Sequence, residues 1–456
     1  MRGLITIEPV QMVMRPTPPR PKGEPLFGNA RQYADDPFRF LTACERSYGD
    51  VVSLDLGPLE TYMLTDPDEI QRVLVADADD YIKPDFQDDA IGDLLGDGLL
   101  LSEGDVWQRQ RELANPAFAM TRLGQFTDTI AGHAQAMVDT WQDGNSRDIE
   151  LEMTQVTLDV ICDLMLDVEL THGQRETIRE NLEPIGARFE PDPIRFITPD
   201  WVPTPDNRRY QAALDELDRV VSEIVAERRG SEGHEDDEDP PMDVLSILLR
   251  ARNRGEQSAK QLRDEVVTML LAGHDTTALT LTYSWYLLAN HPEIERAVQA
   301  EADAVEGPVT FEAVRELDLI ERVIQESMRL YPPVYVMFRQ PTRDVELGGY
   351  RVPKESAVML PQWAVHRSPD FWDEPDRFEP DRWLDQSDRP RFAYFPFGGG
   401  PRHCIGKHLA MLEAQVILTT VAREFSLDTD REGELDLLPS LTAHPRGGMP
   451  MTLHQR

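Results

Sequence analysis

Apolar residues recur at helical spacing from Ser258 to about Asn290, the longest such run in the chain. Ser258 stands where an N-cap belongs, and His291–Pro292 ends the pattern. About 32 residues at roughly 1.5 Å each make a rod of about 48 Å, long enough to cross a domain of this size. A second helical pattern covers Leu317 to Leu330, and helical patterns dominate from Pro67 to about Arg228. A loop-rich stretch from Lys83 to Asp105 interrupts the latter. Alternating apolar and polar residues in 51–56 and 60–65, around Gly57–Pro58, predict a hairpin. Short strands are expected at Val345–Leu347, Tyr350–Val352 and Ala357–Leu360. The prolines between Arg15 and Pro25 predict an extended lead-in, and the acidic stretch 228–241 a flexible connector. The expectation is a mainly α protein with a small, largely antiparallel β portion: a lead-in over 1–25, then one large domain over 26–456.

Composition narrows the function. With 40% apolar and 28% charged residues over 456 positions, the chain can bury a large core and stay soluble. A net charge of −37 argues against nucleic acid or an anionic membrane surface as a partner. Among the basic residues only Lys22, Lys83, Lys260, Lys354 and Lys407 are lysine. Few lysines beside many carboxylates fit a halophilic cytoplasm, where screening over about 3 Å at molar salt relieves self-repulsion. An acidic protein from an arginine-favouring genome is the plainer alternative. LITIEPVQMVM near the N-terminus is short and broken by Glu8 and Pro9, so no membrane anchor or signal peptide is expected. Cys44, Cys162 and Cys404 are too scattered for a disulfide framework, which fits a reducing, cytoplasmic setting. Cys162 lies in the apolar helical stretch VTLDVICDLMLDV and reads as core, and Cys44 reads similarly. A monomer is expected.

Cys404 differs from both. It sits in FGGGPRHCIG, Phe397 to Gly406, just before IGKHLAMLEAQVILTTVAREF, which is apolar at helical spacing. Glycines let a backbone come close to a ligand, and a helix N-terminus favours thiolate over thiol. Phe397 is placed to cover the sulfur, and Arg402 supplies a cation for a nearby anion. A zinc site from His403, Cys404 and His408 lacks a fourth ligand, and the glycine spacing misses the phosphate-loop pattern. A purely structural glycine turn stays open on these residues alone.

Three more segments carry chemistry. AGHDTT, Ala272 to Thr277, puts a glycine, an acid and a hydroxyl in the middle of the long helix. A glycine there costs about 1 kcal/mol relative to alanine, so a reason is needed. Asp275 and Thr276 can relay protons, or simply bond to the backbone. His274 beside them reads as structural. ESMR places Glu326 and Arg329 on one helix face, commonly a surface pair worth about 0.2–0.5 kcal/mol. WQRQR places the Trp107 indole and Arg111 guanidinium where both reach one anion, or pair on the surface.

Together these motifs resemble the cytochrome P-450 haem-thiolate monooxygenases. The cysteine signature F-x-x-G-x-R-x-C-x-G is matched by Phe397, Gly400, Arg402, Cys404 and Gly406. The pattern [AG]-G-x-[DE]-T is matched from Ala272 to Thr276, E-x-x-R by Glu326 and Arg329, and W-x-x-x-R by Trp107 and Arg111. The resemblance implies the family's fold and haem b, with Cys404 as axial iron ligand. It implies an oxygen-binding groove at Ala272–Gly273, with Thr276 and Asp275 assisting proton delivery. Trp107, Arg111, Arg402 and Arg339 would hold the haem propionates, and Glu326, Arg329 and Arg382 would form a structural network. The implied reaction inserts one atom of O2 into an apolar substrate. Electrons would come from NAD(P)H through a ferredoxin-type partner, docked near Lys407.

Two alternatives differ in class. One is a haem-thiolate isomerase, dehydratase or peroxygenase needing no external electrons, against which the Asp275–Thr276 pair argues. The other is a non-catalytic haem-binding sensor. Substrate contacts are expected from the Lys83–Asp105 stretch, from Ala272 and its approach, and from Val334 to Phe338 including Met337. Their apolar character points to a lipid or terpenoid.

Overall fold

The structure is a computed structural model that describes residues 17–57, 60–190, 202–231 and 241–456. Seven helices position the site: α1 Asp85–Leu95, α2 Gly104–Ala114, α3 Met120–Val138, α4 Ile149–Ile161, α5 Ala259–Ala289, α6 Asp318–Leu330 and α7 Lys407–Glu424. α5 begins where the sequence predicts. Gln261 N–H donates to Ser258 Oγ at 3.1 Å and Ser258 N–H to Gln261 Oε1 at 2.9 Å, a reciprocal cap satisfying two otherwise orphaned donors. α5 is buried on nearly all sides by α4, α6 and α7. Its threonines and serines tolerate this because they turn back on their own helix. Thr268, Thr280, Thr282 and Ser284 each donate to the carbonyl four residues earlier, at 2.7–2.8 Å.

The β portion is small. One sheet contains β1 Val51–Asp55, β2 Glu60–Leu64 and β3 Tyr81–Ile82, with two later strands from the chain. β4 Ser146–Asp148 lies elsewhere; β5 Met337–Pro341 follows, then the hairpin β6 Val345–Leu347 with β7 Tyr350–Val352, and β8 Ala357–Leu360. The order in the main sheet is β1-β2-β8-β5-β3, antiparallel throughout except for β2 with β8. β9 Phe425–Asp428, β10 Leu437–Pro439, β11 Ala443–Pro445 and β12 Pro450–Gln455 complete the described strands. β12 pairs with β4 and β9, and β10 with β11.

Two expectations need correction. The stretch from Lys83 to Asp105 is not mainly loop, because α1 occupies half of it. The acidic connector also starts later than expected. Residues 228–231 end a helix that runs from Pro205 to Ser231, and Arg228 is buried there, 2.7 Å from Asp167 and 3.2 Å from Asp243. Residues 232–240 of the connector, 1–16 of the lead-in and Pro58 lie outside the described residues. From Thr17 to Gly23 the lead-in has no helix or strand, and Pro19 C=O accepts from Ser53 N–H at 2.9 Å.

Candidate active site

Cys404 lies two residues before Gly406, the N-cap of α7. Its N–H donates to Phe397 C=O at 2.9 Å, closing the loop on itself. Two glycines make this turn possible. Gly398 and Gly400 hold φ of 66° and 67°, and a Cβ on Gly400 would stand 1.8 Å from the Leu74 carbonyl oxygen. Gly406 has a negative φ of −84°, and a Cβ there would meet only Phe118 and the Cys404 sulfur, 3.9 and 4.0 Å away.

The helix end does not by itself make Cys404 a thiolate. Burial pushes the thiol up, and the N–H groups of Gly406 and Lys407, with the charges of Arg111 and Lys407, pull it back only in part. A bound metal cation reverses that balance, since a coordinating thiol is deprotonated. The sulfur is deep enough to suffer this desolvation, yet the residue keeps accessible surface. Ala272 is likewise exposed, between two stretches of α5 that are buried, 264–270 and 277–288.

Cations gather beside the cysteine loop. The Arg402 guanidinium lies over the Trp107 ring, 4.5 Å from its centre, donates to Ser102 C=O at 3.0 Å and pairs with Glu103. Arg339, on β5, is buried, and its guanidinium is pushed down to about 10 by burial and by the neighbouring Arg402 charge, with Glu103 opposing. Arg111 donates to His403 C=O at 2.9 Å and contacts the His403 ring at 3.3 Å. Arg402 lies on the indole, and Arg111 is held at the cysteine loop by the His403 carbonyl and imidazole. Glu103 and His403 were not singled out by the sequence motifs.

The donor set fits haem. A deep thiol offers one metal ligand, and two crowded guanidiniums sharing one carboxylate leave room for further anionic groups, as propionates are.

On α5, Gly273 has a reason of its own: a Cβ there would come 2.7 Å from Ile161 of α4. The helices cross closely, and Thr157 Oγ1 of α4 donates to His274 C=O at 3.1 Å. Thr276 Oγ1 donates to Ala272 C=O at 3.2 Å, and Asp275 Oδ2 accepts from Thr442 Oγ1 at 2.7 Å. His274 is fully buried, its Nδ1 on Leu270 C=O. Glu326, Arg329 and Arg382 come together: Glu326 accepts from both arginines at 2.8–2.9 Å and from Trp383 Nε1 at 3.0 Å. Of the expected pocket residues, Val334 is half-buried, while Met337 touches Gln362 Nε2 at 3.4 Å and lies along Gly398. Phe86 of α1 meets Phe338 of β5 edge-on with ring centres 5.2 Å apart, so those two expected pocket segments touch.

Comparison with known proteins bears on this arrangement. The chain is 33% identical to cyclooctatin synthase of Streptomyces melanosporofaciens, over 95% of this chain and 93% of that protein. It is also 33% identical to cyclooctat-9-en-7-ol 5-monooxygenase of the same organism, over 89% and 88%. Pentalenene oxygenase of Streptomyces avermitilis is 29% identical over 93% and 95%. The crystal structure of CYP175A1 from Thermus thermophillus superposes with a TM-score of 0.76 over 96% of this chain and all of that one, at 24% identity. No helix among the described residues is long and apolar enough to cross a membrane. The family model described as Cytochrome P450 matches residues 18–449, and the chain belongs to that family of haem-dependent monooxygenases.

Proposed function

We propose that this enzyme hydroxylates an apolar terpenoid-type substrate, drawing electrons from NAD(P)H through a separate ferredoxin-type protein. Cys404 is the iron ligand. Arg402, Arg339, Trp107 and Arg111 hold the propionates. When bound, haem supplies the reductive activation of O2.

The protein groups supply position and protons. Thr276 is placed to release its bond to Ala272 C=O and turn its hydroxyl toward a ligand at the exposed Ala272 surface. Asp275, one residue earlier, is the acid that passes a proton toward that hydroxyl. Phe86 and Phe338 contribute apolar walls to the substrate side. The observation that carries the reading is Cys404 itself: a deep sulfur on a residue that keeps accessible surface, flanked by crowded guanidiniums. The apolar class is supported by relatives named pentalenene oxygenase and cyclooctat-9-en-7-ol 5-monooxygenase.

Lys407 and His403 are exposed at the cysteine loop, and Arg109 is exposed on α2 two residues before Arg111, on a chain of net charge −37. We assign this basic spot to the docking of an acidic electron carrier. The test is spectral titration of the holoenzyme against a panel of cyclic terpenes and fatty acids, followed by NADH-driven turnover with a ferredoxin and its reductase. Oxygenated product from a terpene supports the assignment. Product formed from peroxide alone, with no gain from the electron chain, would replace it with a peroxygenase.

A further inference from the structure

The hydrogen bonding of Asp275 continues beyond α5. Thr442, which donates to Asp275 Oδ2, also lies 2.9 Å from His444 Nε2 in β11. His444 Nδ1 in turn lies 2.8 Å from Oε1 of Glu150, in the first turn of α4. His444 Nε2 and Asp275 Oδ2 are 3.6 Å apart, too far for a direct bond, so the Thr442 hydroxyl is the link.

With Glu150 ionised, proton counting gives the state of this chain. A hydroxyl has one proton to give. Thr442 gives it to Asp275, so its oxygen accepts from His444 Nε2–H. Nδ1 must also carry a proton to bond to an ionised Glu150. Both ring nitrogens are donors, which describes an imidazolium. Asp275 and His274 face the ring from α5, and Glu150, with Asp148 before it, from α4; burial pushes the Glu150 carboxyl up, while the bond to His444 and its charge pull it down. Tyr283 of α5 donates to Ala443 C=O, next to His444. Burial opposes the imidazolium, but Asp275 and Glu150 outweigh it and raise the ring to about 9.

We propose that His444, reached through Thr442 and oriented by Glu150, is the residue that reloads Asp275 with protons during turnover. This rests on the proton-delivery role of Asp275 given above. Monooxygenation consumes two protons per O2, so an acid that has delivered one must be recharged within the cycle. In the reloading step the His444 Nε2–H bond breaks as a Thr442 O–H bond forms. The original Thr442 proton passes to Asp275 Oδ2. Imidazolium and carboxylate become imidazole and carboxylic acid, and no electrons move. His444, about a third exposed, regains its proton from water. Arginine in this place would hold its proton too tightly to pass it on. His444 and Thr442 are positioning residues acting through Asp275.

The test combines turnover with a readout independent of it. Holoenzyme variants are compared for NADH-driven oxygen consumption between pH 6 and 10, with a surrogate ferredoxin and its reductase. H444Q and T442V are expected to slow the reaction by about a hundred- to a thousandfold near pH 7, within the range of a lost acid–base group. T442S, which keeps the hydroxyl, recovers most of that loss. The wild-type rate falls above about pH 9, and H444Q lacks that inflection. In the ferrous carbon monoxide form, which is diamagnetic, NMR of labelled histidine should show His444 charged up to about pH 9, and E150Q should lower its midpoint. A wild-type midpoint near 6.5 overturns the relay whatever the variants do. So do wild-type rates and pH profiles in H444Q and T442V while D275N is slow, a result that leaves the role of Asp275 intact. Should D275N also match the wild type, the Asp275 reading fails and the relay with it.

Discussion

Glu326 accepts both Arg329 Nε–H and Nη2–H at 2.8 Å, and neither side chain touches solvent. The pair is the centre of a larger set. Arg329 also donates to the carbonyls of His366, Pro375 and Arg377, so one residue of α6 ties down three points of the segment leading to the cysteine loop. Removing one member of such a buried set leaves the others charged and uncompensated. Glu326→Ala should cost about 3–5 kcal/mol, and the protein should be recovered largely without haem. Denaturant melts and haem content measure this. A variant with near wild-type stability and full haem would show the network to be dispensable.

The two glycines of the cysteine motif should respond differently to the same change. Gly400→Ala places a methyl group 1.8 Å from the Leu74 carbonyl oxygen on a backbone of φ 67°. Strain and overlap each cost about 1–3 kcal/mol, and the loop that presents Cys404 must move. Gly406→Ala meets nothing closer than 3.9 Å on ordinary backbone and should stay within about 0.5 kcal/mol of the wild type. Thermal melts of the pair test the contrast. Equal losses would contradict it.

Stability should also record the charge on His444. Its folded value is about 9, above the roughly 6.5 of an unfolded histidine, so the native state holds the proton more tightly. The stabilisation is fully present below about pH 6.5 and is lost as pH rises through 9. Denaturant melts of wild type and H444Q at pH 6, 8 and 10 should show a gap that closes upward. A gap that widened with pH would reverse the sign and contradict the charged state.

Lys407 places its ammonium 5.8 Å from the Phe397 ring centre, on the outer side of the cysteine loop. Lys407→Glu should slow reduction by a ferredoxin severalfold at low salt and little at high salt, since exposed charges act over about 10 Å at 0.1 M. Stopped-flow reduction at two ionic strengths checks it. Rates unaffected at low salt would remove Lys407 from the docking surface.

How far the sequence reaches can be read from particular residues. The limits of α5 were legible because Ser258 and Gln261 form a local cap and His291–Pro292 a local stop. The strands Val345–Leu347, Tyr350–Val352 and Ala357–Leu360 have the expected bounds for the same reason. α1 was missed because its residues, DFQDDAIGDLL, mix aspartates and a glycine, which favour loops. Its helix is held by packing against α5, a contact that local propensity does not contain. The site divides along the same line. Cys404 and Thr276 were legible from short motifs. Glu103 against Arg402, and Glu150 against His444, join residues nearly 300 positions apart, and no local pattern marks them. Arg111 was visible, but its attachment to His403 was not, since that depends on how the cysteine loop turns its carbonyl.

The account depends most on the sulfur of Cys404 being bound to haem iron. The direct measurement is the carbon monoxide difference spectrum of the dithionite-reduced holoenzyme, beside Cys404→Ser. Wild type should give the strongly red-shifted Soret band of thiolate ligation, and Cys404→Ser should lose it while still binding haem. A wild-type spectrum without that band, or a serine variant that keeps it, would contradict the assignment.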